Sequence, residues 1–180
     1  MKKNRGITML SLVVTIVILL IIAGISIGTG NNIIKQTEIE NIKTNMLLIK
    51  VKGLEYAENA NFKLGTNIDT IKEGDEKSSR IQKAKAELKG EEIVDIDQLS
   101  NKIGITQENL EAENAAYVYY YKLTSENLTE MGISNIKSDD KNGLYIIRYD
   151  IKNVQVEIYN LKGIENEGET YYSLNEVNQI

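Results

Sequence analysis

The chain has 180 residues and a net charge of −5, from 21 Lys+Arg against 26 Asp+Glu. An acidic chain of this kind lacks the basic face that bulk phosphate binding demands, so no nucleic-acid partner is expected. With no Cys and no His, thiol and imidazole nucleophiles, disulfides and the usual zinc sites are excluded, and the absence of Pro leaves a long N-terminal helix free of proline kinks.

The first six residues carry Lys2, Lys3 and Arg5, and from Gly6 to Ile34 no residue is charged. The densest apolar run, residues 7–27, would span roughly 30 Å as a helix, which matches the hydrocarbon core of a bilayer. Thr8, Ser11, Thr15 and Ser26 can return their hydroxyls to the preceding helical turn and are tolerable in lipid. The basic residues ahead of the run place the N-terminus in the cytoplasm and export the remainder. A cleaved secretory signal fits less well, because its apolar region is shorter and should end at a small-x-small site. Here Ala23 and Gly24 lie within the run, and Ile25 and Ile27 continue it. Hydropathy by itself fits an ordinary uncleaved signal anchor equally.

The stretch Lys3-Asn4-Arg5-Gly6-Ile7-Thr8-Met9-Leu10-Ser11-Leu12-Val13-Val14 resembles the prepilin leader of type IV pilins and type II secretion pseudopilins. The resemblance implies cleavage between Gly6 and Ile7 by a prepilin peptidase and N-methylation of Ile7. It also implies residence in the cytoplasmic membrane as a single span, followed by assembly into an extracellular or cell-surface filament. The implied partners are the peptidase, other pilin-like subunits, an assembly platform with its ATPase, and membrane lipid. No cofactor, metal or catalytic role is implied. The family usually has Glu where this chain has Ser11, and Ser cannot supply a carboxylate to pair with a neighbouring amino terminus. Ser11 therefore suggests either a minor or tip subunit, or a branch such as that of Gram-positive bacteria which assembles without the pair.

Gly24-Ile25-Ser26-Ile27-Gly28 forms a G-x-x-x-G pattern, through which Gly24 and Gly28 would let two membrane helices approach closely. Gly28-Thr29-Gly30-Asn31-Asn32 gathers poor helix formers and reads as a flexible joint, or as a segment that melts when the subunit leaves the membrane. Beyond it, Ile39, Ile42, Met46 and Ile49 recur at helical spacing, with Leu47 and Leu54 beside them. They predict an amphipathic helix to about Asn61 whose apolar stripe packs on the exported domain. The pattern fades at Gly53, too early for a coiled coil.

Residues 63–92 are polar, and Glu76–Lys89 predicts a surface helix ended by Gly90. Asp97–Ile103 and Ser125–Met131 predict short helices, the second with Ser125 as its N-cap. Tyr117–Leu123, Gly143–Asp150 and Val154–Tyr159 predict strands, the last two joined in a hairpin by residues 151–153. That hairpin also resembles the terminal hairpin of the pilin-like proteins. Ser173 and Glu176 have capping-box spacing. Alternation along Tyr117–Tyr121 should send some rings inward and others to solvent.

The expected organisation is a leader (1–6), a membrane helix (7–30), an amphipathic helix (31–62) and an exported head (63–180). The fold class is α+β, a long N-terminal helix packed on a small antiparallel sheet with one apolar face, as in pilins. The carboxylate pairs Glu91/Glu92, Asp95/Asp97 and Asp139/Asp140 match no full calcium-loop spacing, and Asp139–Gly143 reads as a polar turn. No nucleophile–base pair or phosphate loop is present, so the expected role is structural and not enzymatic. The alternative is an uncleaved, singly anchored binding domain.

Overall fold

The computed structural model describes the backbone of residues 5–95, 100–166 and 168–179, and the side chains of residues 35–95, 102–166 and 168–179. Contacts divide the chain into two units, residues 1–41 and 42–180. Helix α1 is assigned to Arg5–Leu64. In the first unit only its backbone course bears on the predictions: it is helical through residues 28–32, the predicted joint.

In the second unit α1 follows the predicted stripe and extends it. Met46, Ile49, Ala57, Ala60 and Leu64 are buried, with Ile42 and Leu54 packed at the margin. Gly53 belongs to this face and does not interrupt it. A Cβ placed there would lie 2.5 Å from Ile147 Cδ1 and 3.1 Å from Val156 Cγ1, so the missing side chain is what lets helix and sheet approach. The small Ala57 and Ala60 continue the close contact. Gly65, at φ 78°, stops the helix, and its N–H donates to Asn61 O at 3.0 Å. Asn61 Nδ2 in turn donates to Ile151 O at 2.9 Å and ties this end of the helix to the sheet.

Five antiparallel strands follow among the described residues: β1 (Glu91–Glu92), β2 (Val118–Leu123), β3 (Tyr145–Asp150), β4 (Gln155–Asn166) and β5 (Glu169–Ser173), in spatial order β1-β2-β3-β4-β5. The fold is therefore α+β, a long N-terminal helix on an antiparallel sheet. Register pairs Tyr119 with Tyr149 and Tyr121 with Ile147, then Ile147 with Ile158 and Tyr149 with Val156. These side chains form the face beneath α1, where Tyr121 and Tyr149 meet edge to face at 5.7 Å.

The opposite face is covered too, which corrects the expectation of a single apolar face. Val118, Tyr120, Ile146, Tyr159 and Leu161 lie under Ile103, Ile105 and Leu110. Ile103 ends α3 (Ser100–Ile103), and Leu110 belongs to α4 (Gln107–Ala115), a helix not predicted from the sequence. The predicted short helix over 97–103 is described only from Ser100 onward. With both faces covered, every ring from Tyr117 to Tyr121 is buried, as is Val118 among them, and none turns to solvent as alternation alone suggested.

Other local predictions shift by a few residues. The helix predicted over 76–89 is α2 (Asp75–Lys85), with Asp75 and Glu76 in its first turn and Lys83 and Lys85 in its last, each sign complementing the helix dipole. It stops early because Glu87 and Leu88 turn back to Ala84 and Lys85 in tight bonds, and Gly90 passes close to β2, where a Cβ would sit 2.9 Å from Lys122 O. Helix α5 is Ser125–Glu130, and its N-cap is Thr124 in a capping box with Asn127. Ser125 is not the cap; its hydroxyl is engaged with the Ser138 backbone. Val154 belongs to the β3–β4 turn, at φ 53°, and β4 starts at Gln155. The Ser173/Glu176 capping box forms as predicted and opens α6 (Leu174–Val177).

Candidate functional site

The predicted processing junction Gly6–Ile7, Ser11, and the predicted packing glycines Gly24 and Gly28 lie in residues 1–34, outside the residues whose side chains are described. Among the residues whose side chains are described, no helix is long and apolar enough to cross a membrane; the apolar run 7–27 lies outside them. Two features of the second unit bear on function.

The first is the outward face of α1. At 100° per residue, Leu47, Leu48, Val51 and Phe62 fall within one sector, opposite the stripe formed by Met46, Ile49, Gly53, Ala57 and Ala60. Val51 is 65% exposed and Phe62, the chain's single Phe, 82%. The outward face is mixed: Leu47, Leu48 and Val51 cluster within about one turn, and Phe62 stands about three turns further on, beyond the exposed Glu55 and Glu58 of the same sector. Scattered surface leucines are ordinary, but several apolar side chains aligned on one helical face mark an interaction surface. Leu47 was visible in the sequence beside the buried stripe. The outward alignment needed the sheet to show which side is taken.

The second is a cleft of about 600 Å³ between α4 and the sheet. Register places Tyr120, Arg148 and Glu157 directly opposite one another across β2, β3 and β4, so all three project from the same face. Helix α4 starts at the Thr106 N-cap, whose hydroxyl accepts from Asn109 N at 3.3 Å, and Leu110 anchors it on the sheet. Glu113, three residues further, comes over Arg148. Arg148 Nε donates to Glu113 Oε2 at 3.1 Å and Nη2 to Oε1 at 3.2 Å, a forked pair, while Nε also reaches the Tyr120 hydroxyl at 3.1 Å. Burial, and next the Glu113 carboxylate, hold the Tyr120 hydroxyl well above the ordinary tyrosine range; burial and then Glu157 do the same for Tyr159. Both phenols are therefore neutral donors at physiological pH. Of this cleft only Tyr120 stands out in the sequence, as part of the Tyr117–Tyr121 run; Glu113, Arg148 and Glu157 do not. The other local signal was Thr106 ahead of Glu108 and Asn109, which marks a helix start.

The carboxylate pairs noted in the sequence are otherwise engaged. Glu92 pairs with Lys85, and Glu91 lies 3.7 Å from Lys122. Asp139 Oδ1 accepts from Lys141 N at 3.0 Å and from Asn142 N at 2.8 Å, and these bonds hold its carboxyl below the usual range. This is the predicted polar turn. Asp97 lies outside the described residues, and among those described no group of acidic side chains could hold a metal ion. No family model, curated protein or solved structure matches the chain.

Proposed function

We propose that this protein is a structural subunit of a type IV pilus-like or type II secretion pseudopilus-like filament, processed after Gly6 and N-methylated at Ile7. The observation that carries the reading is the exposed Leu47, Leu48, Val51 and Phe62 on the outward side of α1, behind a basic leader-like segment and an uncharged apolar run. Water contact at Phe62, Val51, Leu47 and Leu48 is unfavourable, and burying each against a neighbouring subunit would recover roughly 1–3 kcal/mol. In this reading the chain inserts with its N-terminus in the cytoplasm and its head exported. The peptidase removes residues 1–6, and the platform and ATPase then draw the subunit into the filament. Ser11 is consistent with subunit docking that rests on apolar contact and not on a buried charge pair.

The second reading, an uncleaved anchored binding domain, is favoured by the cleft beneath α4. The N-terminus separates the two. Mass spectrometry of the native protein is expected to find a chain that begins at methylated Ile7. Retention of Met1–Gly6 in cells that contain the peptidase would overturn the filament reading. Val51→Ser combined with Phe62→Ser should lower filament yield severalfold and leave the head's thermal unfolding unchanged, because neither side chain is packed within the subunit.

A further inference from the structure

The cleft between α4 and the sheet lies on the face turned away from α1, and what it binds is independent of the filament reading. Its chemistry is specific. Arg148 is neutralised by its forked contact with Glu113. Glu157, opposite Arg148 in register, accepts from Asn175 Nδ2 at 2.8 Å and from the Tyr159 hydroxyl, and makes no salt bridge among the described residues. Both partners are neutral, so the site keeps one carboxylate charge unbalanced. An anion entering would meet Glu113 and Glu157 together. The remaining lining includes Ile103, Ile105 and Ala112, which offer apolar contact to a methylene stem.

We propose that this cleft binds an alkylguanidinium or alkylammonium group, its apolar stem along Ile103, Ile105 and Ala112 and its cationic head at Glu157. Such a group is carried by an Arg or Lys side chain of a partner polypeptide, or by a free polyamine. A cavity of about 600 Å³ falls within the size range of ligand sites and exceeds what a single such side chain fills, which leaves room for flanking peptide backbone.

The test uses the full-length protein in detergent micelles, with NMR of the Tyr120 and Tyr159 rings and of Arg148 Nε. Agmatine should shift these signals saturably, while butylurea, which keeps a four-carbon stem and carries no charge, should not. Glu157→Gln keeps the side chain's shape but removes the charge, and should weaken agmatine binding by about tenfold, the scale of one charge-assisted hydrogen bond. Ala112→Lys, at an exposed α4 position, places a tethered ammonium at the cleft and should abolish binding. That variant carries the test should Glu157→Gln fail to fold. A blocked arginine peptide binding tighter than agmatine identifies a polypeptide as the source; the reverse order identifies a polyamine. Equal shifts with agmatine and butylurea, or unchanged affinity in both variants, would overturn the proposal.

Discussion

The two faces of the sheet are covered by helices of different length, and the difference separates stability from recognition. Beneath residues 42–64 of α1, about 34 Å of helix, Tyr145, Ile147, Tyr149 and Ile158 are fully buried and Gly53 removes the last gap. Beneath α4, about 13 Å of helix, Tyr120 and Ile146 are buried, but Arg148, Glu113 and Glu157 remain partly open to a cleft. A long cover closes the core, whereas a short cover anchored at Leu110 leaves a rim where charged side chains can pair with each other and still reach solvent. The first face is thus expected to set the stability of the head, and the second can change its chemistry at small cost to the fold.

The largest effect should come from alkali, which acts on both faces together. Tyr119 is pushed up to about 12, by burial first and then by Glu92. Tyr121 and Tyr149 on the α1 side, and Tyr120 and Tyr159 on the cleft side, are raised as well, with burial the main cause. The folded state therefore holds these protons more tightly than the unfolded chain, whose tyrosines release them near pH 10. Stability should be fully present below about pH 10 and fall as pH rises above it. Phenolate absorbance at 295 nm should appear together with loss of far-UV circular dichroism. Early ionisation of the two cleft-side rings in a still-folded protein would break the comparison, because it would mean that the short cover admits water to the core.

Next in size is truncation. Ile147→Ala should cost about 2–5 kcal/mol in urea unfolding, since a closed core cannot collapse around the missing methyls. Ile105→Ala, at the cleft wall, should cost below about 2 kcal/mol, because the open cleft beside it would let water fill the space left behind. Equal losses would show that both covers contribute alike. The smallest effect tests the contact at Gly53. Gly53→Ala should cost about 1–2 kcal/mol net, as overpacking against Ile147 Cδ1 outweighs alanine's better helix propensity. Ile147→Val removes the clashing methyl, so the double variant should be more stable than the two single losses added together. Strict additivity would mean that the helix relaxes away from the sheet instead.

Much of the head was legible in the sequence, and the residues show why. Met46 and Ile49 at helical spacing, the β-favouring run from Tyr117 to Leu123, and Ser173 three residues before Glu176 each encode their structure within one or two turns or strands of chain. The α+β class follows from these local signals, as does an apolar helical stripe that needs a sheet to cover it. Gln107–Ala115 escaped notice because it presents one large apolar residue, Leu110, and so lacks a stripe; tertiary contact, and not periodicity, stabilises it. Gly53 read as the place where the stripe fades, and proved to be where the stripe touches the sheet most closely.

Of the candidate cleft only Tyr120, in the tyrosine run, was legible. Arg148 and Glu113 are 35 residues apart, and neither belongs to a motif. What joins them is β-strand register and the angle at which α4 crosses, both set by contacts between distant segments. The sequence by itself determined the uncharged N-terminal run with its basic leader, the amphipathic half of α1, the central strands and the caps, because periodicity and capping act between near neighbours. Only the tertiary structure decided that both sheet faces are covered, that Leu47, Leu48, Val51 and Phe62 are the apolar side chains left outward, and that Arg148 pairs with Glu113 across the strand from Glu157. The physical reason is that burial belongs to pairs of surfaces, and the chain specifies each surface without stating which other one it will meet.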